Sequence, residues 1–403
     1  MKLAKLSLAA IVAAGALTTV NAKPLEEAIK GVEISGFVRY RFYAEDGALD
    51  AKGDRHRFSV PVSLVAPVAE NLTAGVSVRA EQNEYGANGA ISDEFESDTI
   101  KDNDKFAMTK AWFKYATKDF SVRAGKFELA TPWTDPGYAG NRGTGALAMY
   151  TGVPGWAFAA AAFTQTNISV TVGKLALKAM LASPNPPSMP GLTAGNNGID
   201  VGEENLYAVA AIGAVGPVNV QAWFSSMTNV FDSSIFVQAD AKFAGFGLKA
   251  QANQLKLADE TKGLFADDSG LFWAVEGSYA IDGFSVDAGY ISNDDDQPIH
   301  TLSADDATQI KFGKQLVYET TNMPAAETIY ANAGFATGPY SVGVGYGTAE
   351  LDGEDFADEF YVQAGYKYSK NFNTVVYYSD MDIDGFGDEA DNKEIRFEAK
   401  YSF

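Results

Sequence analysis

From Ile395 to the chain end, Ile395, Phe397, Ala399, Tyr401 and Phe403 hold every odd position, while Arg396, Glu398, Lys400 and Ser402 hold every even one. Successive side chains of a strand point to opposite faces, so this stretch is a strand with one apolar and one charged face. The same period of two opens the mature chain: Val32, Ile34, Gly36, Val38, Tyr40 and Phe42 share one face, and Glu33, Ser35, Arg39 and Arg41 the other. It returns where Phe58, Val60, Val62 and Leu64 alternate with Arg57, Ser59 and Ser63, and where Leu72, Ala74, Val76 and Val78 alternate with Thr73, Ser77, Arg79 and Glu81. Ala111, Phe113 and Tyr115 then oppose Lys110, Trp112 and Lys114, and Phe120, Val122 and Ala124 oppose Ser121 and Arg123. A strand of about ten residues, at ~3.3 Å rise and ~40° tilt, covers the ~25 Å apolar band of an outer membrane.

Turn signals punctuate these runs at 67–71, 118–119, 154–155, 216–217, 245, 282–283, 337–339 and 369–371. Between the resulting pairs lie polar connectors at 44–53, 82–104, 129–145, 164–204, 227–233, 257–268, 293–324, 350–357 and 382–392. This rhythm predicts an all-β fold, a transmembrane antiparallel β-barrel of about 18 strands with both chain ends on the short-turn side. Merging two weak runs gives 16 instead, and 168–180 reads as a further hairpin or a short helix. Outer-membrane barrels have short periplasmic turns and long external loops, so the connectors belong outside.

Lys2 and Lys5 precede an apolar stretch from Leu6 to Leu17, and Val20-Asn21-Ala22 offers small-residue cleavage chemistry. Residues 1–22 therefore read as a secretory signal peptide, leaving 23–403 as one barrel domain. Nothing later supplies the roughly 18 consecutive apolar residues of a membrane helix. A membrane location then requires a closed barrel, because only helices and closed barrels satisfy every backbone polar group in hydrocarbon. The 403 residues include no Cys and 39 Gly and carry a formal charge of −21, so neither disulfides nor a general nucleic-acid-binding surface is available. The mean hydropathy of −0.11 suits a barrel, which shows lipid only half of each strand.

An Arg or Lys on the lipid face would cost about 2 to 4 kcal/mol near the bilayer midplane. By parity Arg39, Arg41, Arg55, Arg57, Arg79 and Arg123 point into the lumen with Lys110 and Lys114. That basic wall exceeds what local pairing with inward carboxylates such as Glu81 needs, and it predicts a water-lined pore. The acidic connectors, with Asp93, Glu94, Glu96, Asp98, Asp294 to Asp296, Asp305, Asp306, Asp382, Asp384, Asp388 and Asp391, read as solvated surface. Their sharper reading is divalent-cation bridging to lipopolysaccharide. The only histidines are His56, on the lipid-facing parity, and His300, in an acidic connector, which argues against a hydrolase built on a positioned base, and about 18 strands is far more than the small omptin-like protease barrels have. A structural or adhesin barrel would carry the same long loops and stands as the alternative.

The connector after the fifth strand runs Leu129-Ala130-Thr131-Pro132-Trp133-Thr134-Asp135-Pro136-Gly137-Tyr138 and continues to Gly145. Opposite a wall of inward arginines, it resembles the constriction loop of trimeric general porins. The opening Lys23-Pro24-Leu25-Glu26-Glu27-Ala28-Ile29-Lys30-Gly31-Val32, with Ser35-Gly36-Phe37-Val38-Arg39-Tyr40-Arg41, resembles the campylobacter-type major outer membrane porins, as do Gly125-Lys126, Thr131-Pro132 and the Tyr401-Ser402-Phe403 end. That resemblance implies an 18-stranded homotrimer in the bacterial outer membrane, in contact with lipid and lipopolysaccharide, passing small hydrophilic solutes with a weak cation preference. It further implies that residues 129–145 fold inward and that Asp135 lines the constriction. No cofactor is required, but calcium is a possible ion, with Asp135 and inward Glu276 as its ligands. Phe403 resembles the terminal signal read by the barrel assembly machinery.

Overall fold

A strand facing lipid cannot leave its edge open, since an unpaired backbone group in hydrocarbon costs several kcal/mol. The computed structural model describes residues 31–47, 53–85, 107–135, 137, 140–171, 198–261, 268–294, 310–316, 325–384 and 391–403. Residues 1–22, read above as a signal peptide, His300, and the acids at 93–98, 295–296, 305–306 and 388 lie outside the described residues. The first strands are β1 (Glu33–Gly47), β2 (Gly53–Ala69), β3 (Leu72–Tyr85), β4 (Ala107–Ala116), β5 (Phe120–Glu128), β6 (Arg142–Tyr150) and β7 (Trp156–Thr166). A small pair, β8 (Ser169–Thr171) and β9 (Gly198–Asp200), follows outside the main sheet. The remainder are β10 (Leu206–Val215), β11 (Val218–Met227), β12 (Phe231–Phe243), β13 (Phe246–Leu257), β14 (Ser269–Ile281), β15 (Phe284–Asn293), β16 (Ala326–Thr337), β17 (Tyr340–Leu351), β18 (Glu354–Lys367), β19 (Phe372–Ile383) and β20 (Asn392–Ser402).

Consecutive strands pair antiparallel, β7 pairs with β10 across the small pair, and β20 pairs with β1, closing an 18-stranded barrel. The count is 18 rather than 16. The stretch beginning at Ile168 contributes the strand β8 at Ser169–Thr171, and 172–197 lie outside the described residues. The start of β1 and the end of β20 both sit at the turn end, where Glu33 lies opposite Val65 and Phe37 opposite Ser402. Among the described residues, three connections have two successive residues at positive φ: Ala244-Gly245, Asp282-Gly283 and Asp352-Gly353. That is the type I′ geometry whose twist matches paired strands.

Side-chain parity follows the alternation. Ile34, Val38, Phe113, Val237, Val286 and Phe360 stand exposed on the outer wall, whereas their neighbours Arg39, Gln238, Asp287 and Glu359 face in. His56 keeps to the outer face, where the Tyr40 hydroxyl meets its Nδ1 at 2.9 Å.

Several connectors are shorter than the sequence suggests. β1 runs to Gly47 and β2 starts at Gly53, so Glu45 and Arg55 are strand residues. The polar stretches 227–233 and 350–357 are mostly strand, joined by turns at 228–230 and 352–353. The inward loop ends at 141 because β6 starts at Arg142. The barrel strands range from 9 to 17 residues, so the longer ones rise beyond the apolar band and carry polar residues there.

At the seam, Phe403 and Gly36 exchange both backbone bonds, at 3.0 and 3.1 Å. A Cβ on Gly36 would lie 2.9 Å from the Phe403 ring and would also strike the Pro61 carbonyl, so glycine here makes room for the terminal aromatic. Deleting Phe403, or substituting Gly36→Val, is expected to cut the folded yield, read as loss of heat-modifiable gel migration. Native yield in both variants would refute this account of the seam. For the wall, Gln238→Cys and Asp287→Cys should react with a water-soluble thiol reagent, while Val237→Cys and Val286→Cys, one residue away, should be shielded by lipid. Equal labelling within each pair would contradict the assigned parity.

Candidate functional site: the narrowed lumen

The sequence-predicted arginines do come together on the inner face of neighbouring strands. Glu398 on β20 lies beside three of them: Arg41 at 2.5 Å, Arg396 at 3.0 Å and Arg39 at 3.8 Å. Glu81 on β3 pairs with Arg57 and stands 3.6 Å from Arg79, and Glu45 takes Arg55 at 2.8 Å. Glu128, at the loop end of β5, meets Lys110 at 3.0 Å and Arg123 at 3.2 Å. Each of the six arginines therefore has a carboxylate within 4 Å, so local pairing is more extensive than the sequence suggests. Sharing is the relevant feature: a carboxylate with two or three cations around it neutralises only one, and the wall keeps basic character. Tyr43 and Trp112 add ring faces, with Arg55 4.2 Å above the first and Arg123 4.8 Å above the second.

The connector at 129–141 folds into the barrel. Leu129, Trp133 and Thr134 are buried, and the Trp133 indole N–H donates to Asn253 Oδ1 at 3.0 Å. Asn253 belongs to β13, beyond β7, β10, β11 and β12, so the loop lies along that arc of the inner wall. Trp133 meets Trp223 edge-on at 5.9 Å and joins a buried cluster with Phe127, Phe163, Leu206, Phe236 and Leu255. Local bonds keep the loop compact: Thr134 Oγ1 donates to the Leu129 carbonyl at 2.7 Å, the Asp135 N–H donates to Asn141 Oδ1 at 2.8 Å, and the Asn141 N–H donates to the Asp135 carbonyl at 2.6 Å.

Asp135 is half-buried, and its Oδ1 accepts the Gly137 N–H at 2.6 Å. It shares an electrostatic neighbourhood with Arg142, Arg79, Glu81 and Glu128. Arg142, buried where β6 begins, is a site residue that sequence reasoning left inside a loop. Parity would have found it once the start of β6 was known.

The opposite arc carries acids. Asp240 on β12, Glu276 on β14 and Asp287 on β15 face inward. Each is hydrogen-bonded: Asp240 by Asn219 and Gln238, Glu276 by the Tyr330 hydroxyl at 2.7 Å, and Asp287 by Asn332 at 2.6 Å. Glu276 thus belongs to a belt on β14–β16 and Asp135 to the loop beside Arg142. Among the described residues no three His, Cys, Asp or Glu side chains stand close enough together to hold a metal ion.

Sequence reasoning also missed a second inward segment. Residues 310–316, within the connector read as wholly external, lie inside the barrel with Ile310, Phe312 and Leu316 buried. The Ile310 N–H donates to Gln251 Oε1 at 2.6 Å, two residues along β13 from the Trp133 anchor. Both inward segments therefore bond to β13, and the arginine wall of β1–β5 is the arc that neither of these bonds reaches.

This architecture recurs in solved structures. OccAB4 of Acinetobacter baumannii superposes with a TM-score of 0.67 at 12% identity, covering 93% of this chain and 98% of that one. OprD of Pseudomonas aeruginosa gives 0.66 at 12%, covering 95% and 97%, and OccK3 of the same organism gives 0.67 at 12%, covering 94% and 97%. At such identity the likeness is one of fold. No curated protein matches the sequence. The family described as Campylobacter major outer membrane protein matches residues 1–403. With the closed barrel and the charged interior, that match means that the chain belongs to the Campylobacter major outer membrane protein family and is an outer-membrane β-barrel porin.

Proposed function

We propose that ions and small hydrophilic solutes cross through the space between the arginine wall and the inward 129–141 loop, with a weak preference for cations. The observation that carries this reading is the Trp133 anchor. It lays an apolar loop against one arc of the lumen and leaves the charged arc facing the remaining water path. Every wall arginine named above is tied to a carboxylate, which softens its field, while Asp240, Glu276 and Asp287 supply the opposite sign across the lumen. Groups at a narrow point act within a Debye length of about 8 Å, whereas distant loop charges are screened. The net negative charge of the chain then tips the balance toward cations. A homotrimer inserted by the barrel assembly machinery among lipopolysaccharide is the assembly that the family resemblance favours. Crosslinking of the detergent-extracted protein to a three-chain species tests it.

Trp133→Ala removes a fully buried side chain and its anchor bond; such truncations typically cost about 3 to 5 kcal/mol. The expected result is a folded barrel with a loosened loop that admits larger neutral sugars in liposome swelling, and an unchanged size cutoff would refute the loop's role. Charge changes should act in opposite directions. In a planar bilayer under a salt gradient, Arg57→Gln should move the reversal potential toward cation preference, and Asp287→Asn should move it away. Identical potentials in the native protein and both variants would mean that these side chains do not line the path.

A further inference from the structure

Glu359 on β18 is fully buried and faces inward beneath residues 312–316. Its Oε1 accepts the Lys314 N–H and the Ser379 hydroxyl, both at 2.7 Å. Its Oε2 accepts the N–H groups of Gln315 at 3.1 Å and Leu316 at 2.8 Å. Three successive backbone donors converging on one carboxylate form a nest, and hydrogen bonds to an ionised acceptor are roughly twice as strong as neutral ones. Gly313, at φ 93°, turns the chain into the nest, and a Cβ there would strike Glu359 Oε2. Gln315 completes the grip: its amide donates to Ser379 Oγ at 2.8 Å and to the Asn392 carbonyl at 3.2 Å. The segment is therefore bonded to β13 at Ile310 and to β18, β19 and β20 through Glu359, Ser379 and Asn392.

The latch carries a charge into the lumen. Lys314 Nζ stands 4.3 Å from the Tyr361 ring centroid and 5.6 Å from that of Tyr377. Arg396 lies 5.5 Å from both Tyr377 and Tyr43, and Arg55 lies 4.2 Å from Tyr43. Cations and rings thus alternate from β2 to β18, and Lys314 extends the arginine wall from a loop rather than a strand. Burial pulls the Lys314 pKa below the ordinary amine value, Glu359 opposes the fall, and Arg396 adds to it.

We propose that Glu359 is a positioning residue that latches residues 310–316 into the lumen as a second constriction segment, and that Lys314, held there, is a selectivity-determining residue. This rests on the reading of the lumen as the conduction path. A double-mutant cycle on the full-length protein in planar bilayers tests it, because the interaction term isolates the dependence of one side chain on the other. In the native background Lys314→Gln should shift the reversal potential toward cations with heat-modifiable migration unchanged. Glu359→Ala should raise the conductance, and adding Lys314→Gln to it should produce no further shift.

Glu359→Ala also leaves a carboxylate-sized space lined by three N–H donors. Formate, substituted for part of the chloride at constant ionic strength, should bring that variant's conductance back toward the native value while leaving the native channel as it was. Should Glu359→Ala yield no folded barrel, Gln315→Ala, which cuts the bonds to Ser379 and Asn392 and keeps the carboxylate, enters the same cycle. The proposal is overturned if Lys314→Gln leaves the native reversal potential unmoved or shifts it equally in both backgrounds. It is likewise overturned if both latch variants fold with native conductance. A native protein that forms no channel would overturn the transport reading instead, which keeps the two failures apart.

Discussion

Everything in this molecule depends on the requirement that backbone N–H and C=O groups find partners where no water is available. Closure of β20 onto β1 meets it for the last edge, and the Phe403–Gly36 exchange extends that pairing to the chain's final residue. Once the sheet is closed, parity has no freedom left. A slip of one residue would send Arg39, Arg41 and Glu398 into lipid and bring Val38, Tyr40 and Tyr401 into the lumen. The apolar outer face thus fixes the charged inner face.

Inside, the energetic problem reverses. Arginines in a partly desolvated lumen need partners, but one carboxylate for each cation would erase the field that a channel uses. The shared arrangement around Glu398, Glu81 and Glu128 satisfies both demands, since each acid is within reach of two or three cations. Removing such an acid would strand several charges at once, a costlier change than the loss of an exposed surface pair. The facing arc uses a different solution, in which Glu276 and Asp287 are single acids held by the neutral donors Tyr330 and Asn332. Opposite charge on opposite walls follows from these two modes of pairing.

The reach of sequence reasoning differs between the wall and the space it encloses. Alternation identified the strands, the turns at Gly216-Pro217 and Asp282-Gly283, and the inward direction of each arginine, because every one of these depends on neighbours one or two residues away. It misplaced strand ends such as Glu354, Asp355 and Arg142, since strand ends beyond the apolar band are polar and read as loop. It also took the whole 293–324 connector for external surface. Phe312 and Leu316 look like any apolar residues in a loop until Glu359, some forty positions later, supplies the acceptor that draws them in.

The sequence by itself determined a lipid-spanning antiparallel barrel, its parity, its approximate strand number and the basic character of one stretch of wall. These are local properties of a two-residue period and of turn chemistry. Only the tertiary structure decided what the lumen looks like. Trp133 meeting Asn253, Ile310 meeting Gln251 and Glu359 meeting Gln315 are contacts between residues far apart in the chain, and they exist only once the sheet has curved shut. Closure sets which arcs of wall face each other, and that pairing fixes where the two inward segments can bind.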